Sequence, residues 1–80
     1  MNRYVATFHT HVAALLTARS LEAAGAAARM APVPRKLSSS CGTCVFYQAE
    51  SPCLPAMDGD VEAVYLCPAE GEYQTLFANR

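Results

Sequence analysis

The sequence has no excess of positive charge. Six lysine and arginine residues stand against seven aspartate and glutamate residues, which gives a formal net charge of −1 at pH 7. Proteins that bind nucleic acids or anionic membranes usually carry a basic surplus, because the phosphate groups of both partners attract it. We therefore expect no nucleic acid and no membrane among the partners.

Long apolar runs are also missing. No window approaches the roughly 20 consecutive apolar residues that cross a bilayer, and His9 and His11 interrupt the apolar pattern soon after the amino terminus. This start does not resemble a signal peptide, so we expect a cytoplasmic protein. In a reducing compartment the four cysteines are more often metal ligands, redox groups or nucleophiles than structural disulfides.

The chain does contain enough apolar residues for a folded core. Of its 80 residues, 52% are hydrophobic and 16% are charged, a composition that excludes intrinsic disorder. A chain of this length has an interior for only one core. We expect a single domain over residues 1–80.

Hydrophobic spacing predicts one long helix and five strands. The helix is the clearest element, because Thr10 can cap residues 11–24 and Gly25 follows where a helix commonly stops. The segment 49–60, with two prolines and an Asp58-Gly59 turn, is predicted as loop with at most one helical turn. Alternating and β-branched patterns place the strands at residues 4–8, 27–31, 44–48, 61–67 and 73–77.

This order of elements predicts an α+β fold. We expect a small, ferredoxin-like and mostly antiparallel sheet with one long helix on one face, a second helix that is short or absent, and a C-terminal hairpin around Glu70 and Gly71. An exposed strand edge of such a sheet could pair two chains into a homodimer.

The predicted topology gathers residues that are distant in sequence. The first strand lies antiparallel to the third, so the strand end near His9 comes beside the strand start near Cys44. We expect the final strands to begin at this same edge and to bring Cys67 close, while Cys53 lies in the loop at the far end.

The residues at this edge form a thiol loop, Ser38-Ser39-Ser40-Cys41-Gly42-Thr43-Cys44. Three serine hydroxyls and the flexible Gly42 surround Cys41, and the nearby helix start and Arg35 with Lys36 would favour a thiolate. Cys41 is therefore predicted to be a nucleophile that Cys44 assists. The alternative is that both cysteines pack in a turn as small apolar residues, and that the cations are merely solvated.

Two other chemistries fit the same loop. The Cys41–Cys44 spacing is that of a CxxC dithiol motif, but in thioredoxin-like proteins the motif opens a helix, whereas here it precedes a strand. The spacing is also a zinc half-site, which His9, His11 or Cys67 would complete. Each histidine could equally be a solvent-exposed residue near a helix start.

The run from Pro32-Val33-Pro34-Arg35 to Ser38-Ser39-Ser40-Cys41-Gly42, behind the opening strand and helix, resembles a family of small bacterial selenium/sulfur carrier proteins. The resemblance covers about the first half of the chain and assigns no role to Cys44, Cys53 or Cys67. It implies a compact α+β fold in which Cys41 holds a sulfur or selenium atom as a persulfide or selenosulfide. It also implies a carrier rather than an enzyme, with no required cofactor, a cysteine desulfurase-like donor and an acceptor enzyme.

Overall fold

Five strands and one α-helix follow one another along the chain in the computed structural model, which describes residues 1–79. A single 3-10 turn, Leu54–Ala56, replaces a second helix. The elements are β1 Asn2–Phe8, α1 His11–Ala23, β2 Ala27–Pro32, β3 Thr43–Ala49, β4 Val61–Leu66 and β5 Gln74–Ala78.

The strands form one antiparallel sheet in the order β2-β3-β1-β4-β5. β1 is central and pairs with β3 on one side and with β4 on the other. The α+β prediction is confirmed, including the short second helical element and the C-terminal β4–β5 hairpin.

The helix α1 begins and ends as its sequence predicts. The Thr10 hydroxyl accepts a hydrogen bond from the Ala13 amide at 3.1 Å, which satisfies one of the free amides of the first turn. Gly25 follows with a φ of 92°, a left-handed conformation that costs glycine little. The helix packs on β2, β3 and β1, and its buried side chains are Ala13, Ala14, Thr17, Ala18 and Leu21.

Each face of the sheet carries its own apolar cluster. The face under α1, here called the helix face, buries Phe8, Val64 and a stacked pair of rings, Tyr4 and Tyr47, whose centroids lie 5.2 Å apart. The opposite face, here called the open face, buries a smaller cluster of Val5, Cys44, Ala63 and Tyr65. Burying a large apolar side chain contributes about 1.5–3 kcal/mol, so the helix face supplies most of the stability.

The segment between β2 and β3 crosses from one face to the other. Val33 and Leu37 pack against the open-face cluster, and the Lys36 ammonium donates to the Gly71 carbonyl at 2.8 Å. Farther along, Cys41 packs against the helix-face cluster. The thiol loop therefore passes over the end of the sheet at which β1 ends.

The expected position of Cys67 is wrong. β4 does start at the thiol-loop edge, where Val61 pairs with Phe8, but it then runs away from it. The Cys67 amide donates to the Arg3 carbonyl at the opposite end of β1. Cys53 lies in the segment after β3, as predicted.

β5 is an edge strand whose apolar side chains are partly exposed, Leu76 by 43% and Phe77 by 37%. The strand edge that the homodimer prediction requires is therefore present, and the dimer itself stays a prediction. No helix within residues 1–79 is long and apolar enough to cross a membrane.

Candidate functional site

The thiol loop is fastened to the end of β1 by a serine. The Ser39 hydroxyl donates to the Phe8 carbonyl at 2.9 Å, and its oxygen lies 3.8 Å from the Cys41 sulfur. The Cys41 thiol donates to the Thr43 carbonyl at 3.5 Å. These hydrogen bonds hold the sulfur in a defined place, and Cys41 as a residue remains partly exposed.

The buried carboxylate of Glu62 holds Ser40, the residue between Ser39 and Cys41. Glu62 accepts from the Ser40 amide at 3.0 Å with one oxygen and from the Ser40 hydroxyl at 3.1 Å with the other. Glu62 is only 8% exposed because a bulge in β4 turns it toward the loop: Thr7 pairs with Ala63 and Phe8 with Val61, which leaves Glu62 as the extra residue. Bulges commonly re-aim a side chain in this way.

The surroundings of Glu62 favour its ionised form. Burial by itself raises the pKa of the carboxyl, but the two hydrogen bonds from Ser40, the nearby His9 and the Ser39 hydroxyl outweigh burial and leave the pKa below its ordinary value. The His9 Nδ1 lies 3.8 Å from Glu62 Oε2 and 3.4 Å from the Ser40 oxygen. At neutral pH a carboxylate therefore fixes the loop.

The sequence analysis did not identify Glu62 as a site residue. A signal was present, since Glu62 is the one charged residue inside the apolar strand Val61-Glu62-Ala63-Val64, and an acidic residue is seldom buried unless it is paired.

Both histidines lie at the loop, and for His9 this is the position that the topology predicts. The His11 Nδ1 lies 3.3 Å from the Thr43 hydroxyl, and His9 faces Ser40 and Glu62. Within residues 1–79 neither imidazole hydrogen-bonds to the Cys41 sulfur. The histidines thus contact the polar frame around the thiol and not the thiol itself.

Cys44 occupies a different environment from Cys41. It belongs to the open-face cluster, is 0% exposed, and donates its thiol proton to the Pro32 carbonyl at 3.6 Å. Burial raises the pKa of Cys44 to about 11, against a smaller lowering effect of Arg29. A buried, protonated thiol attacks a disulfide poorly, so this placement disfavours the predicted assisting role of Cys44.

The ligands named for the zinc alternative are not gathered. Among the described residues no three histidine, cysteine, aspartate or glutamate side chains lie close enough together to hold a metal ion. Cys41 and Cys44 pack on opposite faces, and Cys67 lies at the other end of β1.

The remaining predicted binding residues lie in the segment between β2 and β3. Arg35 and Ser38 are exposed, and Gly42 has a φ of 73°, a conformation that lets the loop turn sharply after Cys41. Their roles in binding stay predictions.

Comparison with known families matches the part of the chain that contains the thiol loop. A family model described as "Putative Se/S carrier protein-like" matches residues 3–53. The chain belongs to this family. The matched residues include β1 except Asn2, then α1, β2, the thiol loop and β3, and they end before β4, so Glu62 lies outside them.

A bacterial relative matches nearly the whole chain. Uncharacterized protein YtiA of Escherichia coli strain K12 is 28% identical over 82 residues, which cover 95% of this chain and 91% of YtiA. No solved structure matches the chain.

Proposed function

We propose that the protein is a carrier that holds one sulfur or selenium atom on Cys41, as a persulfide or a selenosulfide. The main support for the proposal is Cys41, a partly exposed residue whose sulfur lies 3.8 Å from the Ser39 hydroxyl, which is itself hydrogen-bonded to the Phe8 carbonyl at the end of β1. The description of the family, which names a selenium/sulfur carrier, supports the same function.

The transfer needs only one thiol on this chain. The Cys41 thiolate attacks the terminal sulfur of a donor persulfide, a bond forms between the two sulfurs, and the donor cysteine leaves as a thiolate. A nucleophile of the acceptor then attacks the same terminal atom, and Cys41 leaves as a thiolate. Sulfur or selenium moves without a net change in oxidation state, so no second oxidant or reductant is required.

The loop supplies a polar setting for this exchange. The Ser39 hydroxyl is close enough to turn from the Phe8 carbonyl toward a sulfur anion, and hydrogen bonds to an anion favour it. The charged carboxylate of Glu62 accepts its two hydrogen bonds from Ser40. The carboxylate thus positions the loop through Ser40 while the thiol stays free to react.

The proposal includes two partners and no cofactor. The donor would be a cysteine desulfurase-like enzyme that carries a persulfide or selenosulfide, and the acceptor would be an enzyme that incorporates the atom. The protein itself would catalyse no reaction of its own.

Loading of variants that each lack one cysteine tests the proposal. Purified protein is treated with a cysteine persulfide and its intact mass is measured. Cys41→Ser should lose the mass of one added sulfur, because the remaining thiol of the loop, Cys44, is buried, while the matched control Cys53→Ser should load as the wild type does. Full loading of Cys41→Ser would overturn the proposal, provided its circular dichroism shows that it folds.

A further inference from the structure

A groove lies on the open face, at the opposite end of the sheet from the thiol loop. The strand register places Arg3 opposite Gln48, and Phe46 opposite both Arg29 and Val5. The segment 69–73 forms the other wall. The groove encloses about 630 Å³, which is within the range of small-molecule sites, about 300–1,000 Å³.

Two arginines face this groove without a carboxylate partner. Within residues 1–79 neither Arg3 nor Arg29 forms an ion pair, although both line the groove. Only six lysines and arginines occur in a chain of net charge −1. Two cations in one groove therefore give it a local charge opposite in sign to the net charge of the chain. Glu70 also lines the groove and offsets part of this charge.

The groove has an aromatic wall as well. The Arg29 guanidinium lies 4.9 Å from the centroid of the Phe46 ring, a contact that stacks the cation and keeps its outer donors available. Tyr73 lines the opposite side. A flat apolar group could therefore lie between rings while an anionic group meets the arginines.

We propose that this groove binds a small organic oxyanion, an aromatic or otherwise flat molecule with a carboxylate or phosphate group. Guanidinium groups pair with the two oxygens of such anions through parallel hydrogen bonds, and the rings of Phe46 and Tyr73 would hold the apolar part. Arg3 and Arg29 set the charge of the ligand, and the aromatic wall sets its shape.

This site is separate from the proposed carrier site. Arg3 and Phe8 lie five residues apart on β1, or about 17 Å at the rise of an antiparallel strand. Occupation of the groove and loading of Cys41 can therefore be measured independently, and the failure of one proposal leaves the other standing.

Cys67 provides a reporter, because its side chain lines the groove and is partly exposed. The rate at which N-ethylmaleimide alkylates Cys67 is measured by peptide mapping with increasing phenyl phosphate or benzoate. A bound ligand should slow the reaction by the factor 1 + [ligand]/Kd, or roughly tenfold at about ten times Kd. Phenol, which has the ring without the oxyanion, should protect much less.

Cys53 is the internal control, since it is also partly exposed but lies on the helix face. Its alkylation rate should not change. Arg29→Gln and Arg3→Gln should each weaken protection of Cys67 by phenyl phosphate, with an unchanged circular dichroism spectrum.

Three results would overturn the proposal. The first is no protection of Cys67 by either anion at ~10 mM, well above the ~1 mM constant of a weak site. The second is equal protection by phenol. The third is undiminished protection in a folded Arg3→Gln, Arg29→Gln double variant. The first two need only the wild-type chain.

Discussion

Cys41 and Cys44 stand three positions apart in sequence and occupy opposite sides of the sheet. Cys41 lies in the loop, partly exposed and beside the Ser39 hydroxyl. Cys44 points into the open-face cluster, where burial raises the pKa of its thiol to about 11. The two residues between these cysteines therefore lead into β3. Only the Cys41 thiol has the accessibility that sulfur chemistry requires.

The largest expected difference between the two thiols is in reactivity. A pKa of about 11 in place of 9.0 means about a hundredfold less thiolate at neutral pH, since each pKa unit is a factor of ten. Alkylation of Cys44 with N-ethylmaleimide should be at least that much slower in the folded protein than in urea. Peptide mapping over time measures both rates.

Cys41 in the same samples is the matched control, because it should react readily when the protein is folded. Comparable rates for Cys44 in the folded and unfolded chains would show that the open face opens easily, and would remove the distinction between the two cysteines.

The next effect is on stability. Cys44→Ser places a hydroxyl in an apolar cluster and should lower the free energy of unfolding by about 1–3 kcal/mol. Cys41→Ser should change it by less than about 0.5 kcal/mol, as partly exposed loop substitutions usually do. Urea denaturation followed by circular dichroism measures both.

Cys44→Ala separates polarity from packing, since it removes the sulfur without adding a hydroxyl. If Cys41→Ser were the more destabilising of the two serine variants, the thiol loop and not the open face would be the structural element, contrary to our description.

The smallest effect concerns the carboxylate that holds the loop. Because hydrogen bonds and His9 keep the pKa of Glu62 below its ordinary value in the folded protein, the folded state binds this proton less readily than the unfolded state. The stabilisation is therefore complete above the ordinary pKa of a glutamate and is lost as pH falls through the lower, folded pKa.

Glu62→Gln should lower the free energy of unfolding at pH 7 by about 1 kcal/mol, because a neutral amide accepts the Ser40 hydrogen bonds less strongly. The difference from the wild type should shrink as the pH is lowered toward 3. Urea titrations at several pH values measure it, with the exposed Glu50→Gln as control. A constant difference across this range would show that Glu62 is not held as an ionised group.

Local signals were sufficient to predict most of the fold. The Thr10 cap and Gly25 fix the ends of α1, and the alternating and β-branched patterns locate all five strands. These features depend on neighbours in sequence, which is why the chain itself reveals them.

The parts of the site that could not be predicted depend on pairing between strands. Cys67 was expected at the wrong end because it follows the last residue of β4 and not the first, and the five steps from Val61 to Leu66 cover about 17 Å. Glu62 reaches Ser40 only through the bulge in β4. The faces of Cys41 and Cys44 likewise follow from how β3 pairs with β1 and not from their spacing.

The most direct test of the account is the position of the carried atom. Wild-type protein is loaded with a cysteine persulfide, or isolated without reductant and chelator, and the modified cysteine is located by peptide mapping beside native and denatured intact masses. We expect one added sulfur or selenium, on Cys41. An added atom on Cys44, Cys53 or Cys67 with Cys41 unmodified, or a zinc ion that is lost on denaturation, would contradict it.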